Sequence, residues 1–299
     1  MADAFVIEAA DLRKNYDDVE AVRGLNLQVP AGSIFGFLGR NGAGKTTTIK
    51  VLLGMARPTS GNARVFGLPV DAAGPSVEIR RRTGFVSDEK DLYDYMTVDE
   101  IVRFTAAFFP RWRPEVEQRY LRAFELPPHR KVKALSRGMR TKLALLLALC
   151  RGAELLILDE PTSGLDPAMT EEVLQALVAH AANEEMTVFF SSHQIAEVDQ
   201  IADHVAIIDR GRAVVAGALD DVREKFRRVQ MVFDGDAPDP AFRAPGIVRA
   251  RREGRVLTVL SSAGAERIIE EARALNPVSV DVVPVTLKEI FLETVAAED

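Results

Sequence analysis

The chain opens on alternation. FVIEAADLRKNY and GLNLQV set apolar side chains at roughly every second position, as half-buried β-strands do. IFGFLG, LLILDE and TVFFSSH are instead unbroken apolar runs ending in polar residues, the pattern of strands buried on both faces. Each is followed by a stretch of helical spacing: KTTTIKVLLGM, PAMTEEVLQALVAHAANE and QIAEVDQIAD. Buried strand, polar tip and helix in repetition predict an α/β fold around a mainly parallel core sheet. The first alternating runs are expected to be N-terminal antiparallel β elements.

The strand signal lapses between about residues 95 and 150. There VDEIVRFTAAFFPRW, PEVEQRYLRAFEL and GMRTKLALLLALC read as helices set apart by Pro and Gly, a helical insert in the α/β domain. HVAIIDRGRAVVAG, residues 204–217, predicts a hairpin turning at Asp209, Arg210 and Gly211. From about residue 220 the pattern changes. A strand (VQMVF), a Pro-rich stretch (GDAPDPAFRAPG), a hairpin (IVRARREGRVLTVL), a helix (AERIIEEARAL) and a strand (SVDVV) follow one another. The expected organisation is an α/β domain over residues 1–219 and a small α+β domain over 220–299.

A chain of 299 residues with 47% hydrophobic content can bury a substantial core. Its net charge is -6, and the clusters Arg80, Arg81, Arg82 and Arg249, Arg251, Arg252 are interleaved with or followed by acids. That argues against nucleic acid as the main partner, which usually needs a concentrated positive field. The single cysteine, Cys150, excludes a disulfide within the chain and reads as a small core residue in a reducing compartment. MADAFVIEAADLRKNY lacks the basic-then-apolar order of a signal peptide. The longest apolar run, LALLLALC, is about a third of what spans a bilayer.

The candidate chemistry gathers at the strand tips. Residues 39–46, GRNGAGKT, match G-x-x-x-x-G-K-[ST] between a strand and a helix. Such a loop wraps its N–H groups and the helix N-terminus around phosphate oxygens. Gly39, Asn41, Gly42, Ala43, Gly44, Lys45, Thr46 and Thr47 are the expected nucleotide contacts, with Lys45 at the β and γ phosphates and Thr46 on Mg²⁺. Asp159, at the tip of LLILD, is suited to hold the metal, and Glu160 to polarise an attacking water. His193, after TVFFSS, is placed to bond the γ-phosphate or that water. His129, His180 and His204 carry no expected chemistry.

In this order the residues resemble the ATPase subunits of ATP-binding cassette (ABC) transporters. GRNGAGKTT is similar to that family's Walker A sequence and LLILDEP to its Walker B. LSRGM, residues 135–139, is similar to the intervening signature commonly written LSGGQ, which few other P-loop families carry. Residues 163–167, SGLDP, resemble the family's D-loop, and His193 its switch histidine. The likeness is dense over about residues 4–217 and loose beyond, where the tail resembles the accessory domain of some exporter-type subunits.

The resemblance implies ATP hydrolysis with Mg²⁺, Glu160 as base and His193 as switch. It places Tyr16 where an aromatic stacks on adenine. It implies that Ser136 and Gly138, at a helix start, meet the γ-phosphate of ATP held by a second ATPase subunit, identical or related, in a head-to-tail dimer, with Asp166 in the D-loop at the same nucleotide. It implies a separate transmembrane permease subunit, export as the direction of transport, and a cytoplasmic location, peripheral on the inner face of the cell membrane. Local readings stand beside these: packing for Tyr16, and a helix N-cap for Ser136 and for Asp166, which precedes Pro167. A soluble ABC-type ATPase is the alternative, although the long coiled coils or second cassette of such proteins are absent. Asp88 stands where the family usually has a metal-contacting glutamine, which leaves its metal role open. Arg40 replaces a common proline, and Arg137 and Met139 replace a glycine and a glutamine of the signature.

Overall fold

The computed structural model describes residues 5–184, 186–239, 242–263 and 265–295. The chain forms two compact units that divide between Ala213 and Val214. Seven residues of the expected 220–299 domain lie outside the described ones, Pro240, Ala241, Gly264 and residues 296–299, as do residues 1–4 and Glu185.

The largest sheet among the described residues has six strands. Its order is Arg212–Ala218, His204–Asp209, Ile34–Gly39, Thr187–Ser192, Leu155–Asp159 and Thr83–Val86. The five strands from His204–Asp209 to Thr83–Val86 pair in parallel. Leu155–Asp159 and Thr187–Ser192 are buried at every position, as unbroken apolar runs require when both faces are covered. Phe35, Phe37 and Phe189 pack across neighbouring strands, with ring centroids 5.7 Å and 5.2 Å apart. The register aligns the strand tips: Leu38 with Ser192, Gly39 with Ile208, Asp159 with Ser191, and Val86 with Leu158. The P-loop, the acidic pair and His193 thus leave one carboxyl edge of the sheet, where open α/β sheets bind ligands.

The N-terminal alternation forms an antiparallel sheet ordered Val19–Pro30, Phe5–Tyr16, Ser60–Val65 and Leu68–Pro69. The insert holds the helices Val98–Ala106, Pro114–Ala123 and Arg137–Leu149. Thr97 and Glu100 cap the first reciprocally, and Pro114 starts the second. The first helix stops at Ala106 instead of running to Trp112. Pro110 disfavours helical backbone at Phe109, and residues 107–109 leave the helix as tight turns.

In the second unit an antiparallel sheet is ordered Ile247–Glu253, Val256–Ser261, Arg227–Val232 and Ser279–Pro284. Its core gathers Val229, Met231, Leu257, Val259, Ile268 and Ala272. Arg249, Arg251 and Arg252 each meet an acid, Glu293, Glu253 and Asp239 respectively. Among the described residues no helix is long and apolar enough to cross a membrane.

Candidate functional site

The strand Ile34–Gly39 passes into the helix Lys45–Leu52 through a loop in which Gly42 (φ 81°) and Gly44 (φ 102°) take left-handed backbone. Gly44 also has no room for a side chain, since a Cβ there would lie 2.4 Å from the Ala21 carbonyl oxygen. Gly44 provides no side-chain cap to the helix. The first-turn N–H groups, which lack intrahelical acceptors, are therefore left for another acceptor, the condition for an anion cradle. Asn41, Gly42 and Thr46 are exposed, Gly44 and Thr47 are half-buried, and Gly39, Ala43 and Lys45 are buried. Lys45 Nζ donates to the carbonyls of Gly39 (2.7 Å) and Arg40 (3.2 Å) and lies 3.0 Å from Glu160 Oε1.

Asp159 is 2% exposed, and its Oδ1 accepts from Ser191 Oγ at 2.6 Å. The same hydroxyl accepts from the Glu160 N–H at 3.0 Å. Glu160 sits at φ 49°, a conformation costly for a residue with a Cβ. Its Oε2 is 2.7 Å from His193 Nδ1. Its Oε1 is buried and, despite the nearby Lys45 charge, accepts no hydrogen bond of proper geometry. A buried carboxylate oxygen at this place can accept a proton of water once the Lys45 ammonium turns to another partner.

Three residues of this region carry no motif. Lys90 is 6% exposed, and its Nζ donates to the carbonyls of Asp88 (3.0 Å) and Glu160 (3.1 Å). Burial pulls its ammonium below the ordinary lysine range, with Asp88 opposing and Arg137 adding to the effect. Ser191 joins the acidic pair as described. Glu197, also buried, accepts from Thr162 Oγ1 (2.5 Å) and Ser192 Oγ (2.6 Å), tying the segment after Glu160 to the strand tip before His193. In the sequence Lys90 stands among acids, and neither it nor Glu197 was singled out. Only Ser191, in the polar tip SSH, carried a signal.

The remaining expected residues are placed as follows. Tyr16 pairs with Val19 across the turn of the first hairpin, is partly exposed, and has Lys14 Nζ 4.5 Å from its ring centroid. Ala21, two residues beyond Val19, is the residue whose carbonyl abuts Gly44. Ser136 caps the helix Arg137–Leu149 by accepting from the Met139 N–H at 3.2 Å. Gly138 is buried, and a Cβ there would lie 2.3 Å from Met169 Sδ. Asp166 Oδ1 accepts from the Met169 N–H at 3.0 Å, capping the helix Pro167–Glu184. Arg137 lies against Gly164: a Cβ on that glycine would meet its guanidinium at 2.2 Å. Asp88 is half-exposed, with Oδ1 3.8 Å from Lys90 Nζ. Among the described residues no three His, Cys, Asp or Glu side chains converge as a metal cage. Cys150 is buried, and burial pushes its thiol up to about 12, which removes it from thiolate chemistry.

Comparison with known proteins bears on this geometry. A family model described as "ABC transporter" matches residues 22–163. The chain is 37% identical over 225 residues to the bacitracin transport ATP-binding protein BcrA of Bacillus licheniformis, covering 75% of this chain and 73% of that one. It is 26% identical over 287 residues to the ABC transporter ATP-binding protein YtrB of Bacillus subtilis, covering 96% and 97%. A solved structure described as an ATP-binding subunit of an ABC transporter aligns with a TM-score of 0.66 at 28% identity, over 73% of this chain and 92% of that one.

Proposed function

The chain belongs to the ABC transporter family as an ATP-binding, ATP-hydrolysing subunit, and from that premise we propose how its own residues carry the reaction. The observation that carries the proposal is Glu160, set between Lys45, 3.0 Å from its buried Oε1, and His193, 2.7 Å from its Oε2. The triphosphate of ATP lies along the N–H groups of residues 41–47, with Lys45 exchanging its loop carbonyls for the β and γ phosphates. Tyr16 supports the adenine ring. The exposed Thr46 hydroxyl and the Asp159 carboxylate, with Asp88 as a further donor, are the oxygen donors that would hold Mg²⁺, which when bound would offset phosphate charge.

Glu160 Oε1 takes the proton of a water whose oxygen bonds to the γ-phosphorus as the bond to the ADP oxygen breaks. His193 fixes the orientation of Glu160 through Oε2 and senses whether the γ-phosphate is present. Ser136 and Gly138, at the start of the helix Arg137–Leu149, reach the γ-phosphate of ATP held by a second copy or a related subunit, with Asp166 beside it. Two subunits then close head to tail over two ATP molecules and open after hydrolysis. The work is delivered to a separate transmembrane permease, from the cytoplasmic face of the membrane. Export is the direction assigned, on the strength of the appended α+β unit.

Glu160→Gln removes the base while keeping the shape of the site. Phosphate release should fall by about a hundredfold or more, with ATP binding retained. Preserved turnover would exclude Glu160 as the base. A polytopic membrane protein should accompany the chain through detergent extraction; association with ribosomes or DNA in its place would overturn the transport assignment.

A further inference from the structure

Residues 87–91 leave the strand Thr83–Val86 at the sheet edge that also bears Asp159 and Glu160. Within them Lys90 does what lysine rarely does, turning its charged end into the protein. Two of its three donors are met by backbone, the carbonyls of Asp88 and Glu160 at 3.0 Å and 3.1 Å. Lys90 itself takes φ 51°, and its N–H donates to Ser87 Oγ at 3.2 Å, so the loop is wound tightly enough to aim the side chain inward.

Glu160 is held at both ends of its own residue. Ser191 Oγ accepts its N–H, and Lys90 Nζ donates to its carbonyl. Left-handed backbone at a residue with a Cβ persists where the surroundings over-determine it. An apolar chain of similar length would fill the Lys90 volume but leave the Glu160 carbonyl without this donor. Filling space therefore does not account for an ammonium here.

We propose that Lys90 is a positioning residue for ATP hydrolysis, fastening the backbone of Glu160 so that its carboxylate meets the attacking water, and thereby linking residues 87–91 to the catalytic step. This rests on Glu160 being the base. Lys90 acts through Glu160 and not on ATP, so its loss weakens turnover and spares nucleotide binding.

The test is steady-state ATP hydrolysis by the full chain carrying Lys90→Met, Lys90→Arg or Glu160→Gln, with bound nucleotide measured on the same preparations. Lys90→Met should lower kcat by about tenfold or more while KM for ATP stays within about twofold. Lys90→Arg, which keeps the cation and its donors, should recover most of that loss. The proposal is overturned if kcat is unchanged in Lys90→Met, if KM rises in proportion, or if Lys90→Arg falls as far as Lys90→Met. Should Lys90→Met not fold, Lys90→Gln replaces it: a fall in kcat at constant KM supports the proposal, and unchanged kcat overturns it. Turnover surviving in Glu160→Gln would remove the premise, whereas an inactive Glu160→Gln beside an unaffected Lys90→Met would remove the Lys90 proposal alone.

Discussion

Gly44 shows how a single residue sets the phosphate loop. Its backbone is left-handed and its missing Cβ leaves the Ala21 carbonyl its place, 2.4 Å from where that atom would be. Gly32 is a natural comparison, also left-handed at φ 74° but with nothing within 4 Å of the missing Cβ. Gly32→Ala should cost about 1 kcal/mol, the conformational part alone. Gly44→Ala should cost about 2 kcal/mol or more and also weaken ATP binding, because the carbonyl cannot yield without moving the hairpin. Denaturant unfolding of the two variants side by side checks this; equal losses would contradict it. The placement of Lys45, Thr46, Asp159, Glu160 and His193 at or beyond strand tips was legible in the sequence because it follows from motif spacing and from where the apolar runs end. Lys90 and Glu197 were not assigned roles, because they are buried against residues about 35 to 70 positions away, which no local pattern records, and Ser191 showed only as part of a polar strand tip.

Among the elements, the buried strands and their following helices were readable because a core strand has an apolar run and a helix has its own period. The strands Ser60–Val65, Leu68–Pro69 and Thr83–Val86 were not read as strands, being short, largely polar or broken by Gly and Pro. The helices Ala73–Arg82, Leu219–Lys225 and Leu287–Val295 were also not anticipated; the first carries Gly74 and Pro75 in its opening turn and three arginines at its close. Helix Pro167–Glu184 was read in full, but not the consequence of burying His180 on it. His180 lies against Tyr120 of the helix Pro114–Ala123, with ring centroids 5.8 Å apart and the rings tilted by 54°, and Arg119 approaches its Nδ1 at 3.4 Å. Burial lowers its pKa from 6.5 to about 4. Between those values the unfolded chain binds a proton that the folded chain refuses, so this contribution is complete above pH 6.5 and is lost as pH falls towards 4. It amounts to at most about 3 kcal/mol. Thermal unfolding of His180→Leu should lose less stability than the parent between pH 7 and pH 5; parallel curves would contradict the assignment.

At the scale of the whole molecule, the parallel sheet brings four separated segments to one edge, and that convergence is what a nucleotide site requires. The helix Arg137–Leu149 presents a Ser-capped start whose chemistry is assigned to the ATP of another subunit, so the account depends on association. The measurement that tests it most directly is sedimentation of the Glu160→Gln chain with and without Mg-ATP, beside the same chain carrying Ser136→Ala. Without nucleotide the chain should sediment as a monomer and with it as a dimer, and Ser136→Ala should prevent the dimer while each monomer still binds ATP. A Glu160→Gln chain that binds Mg-ATP yet remains monomeric at every concentration, or a Ser136→Ala change that removes ATP binding from the monomer as well, would contradict it.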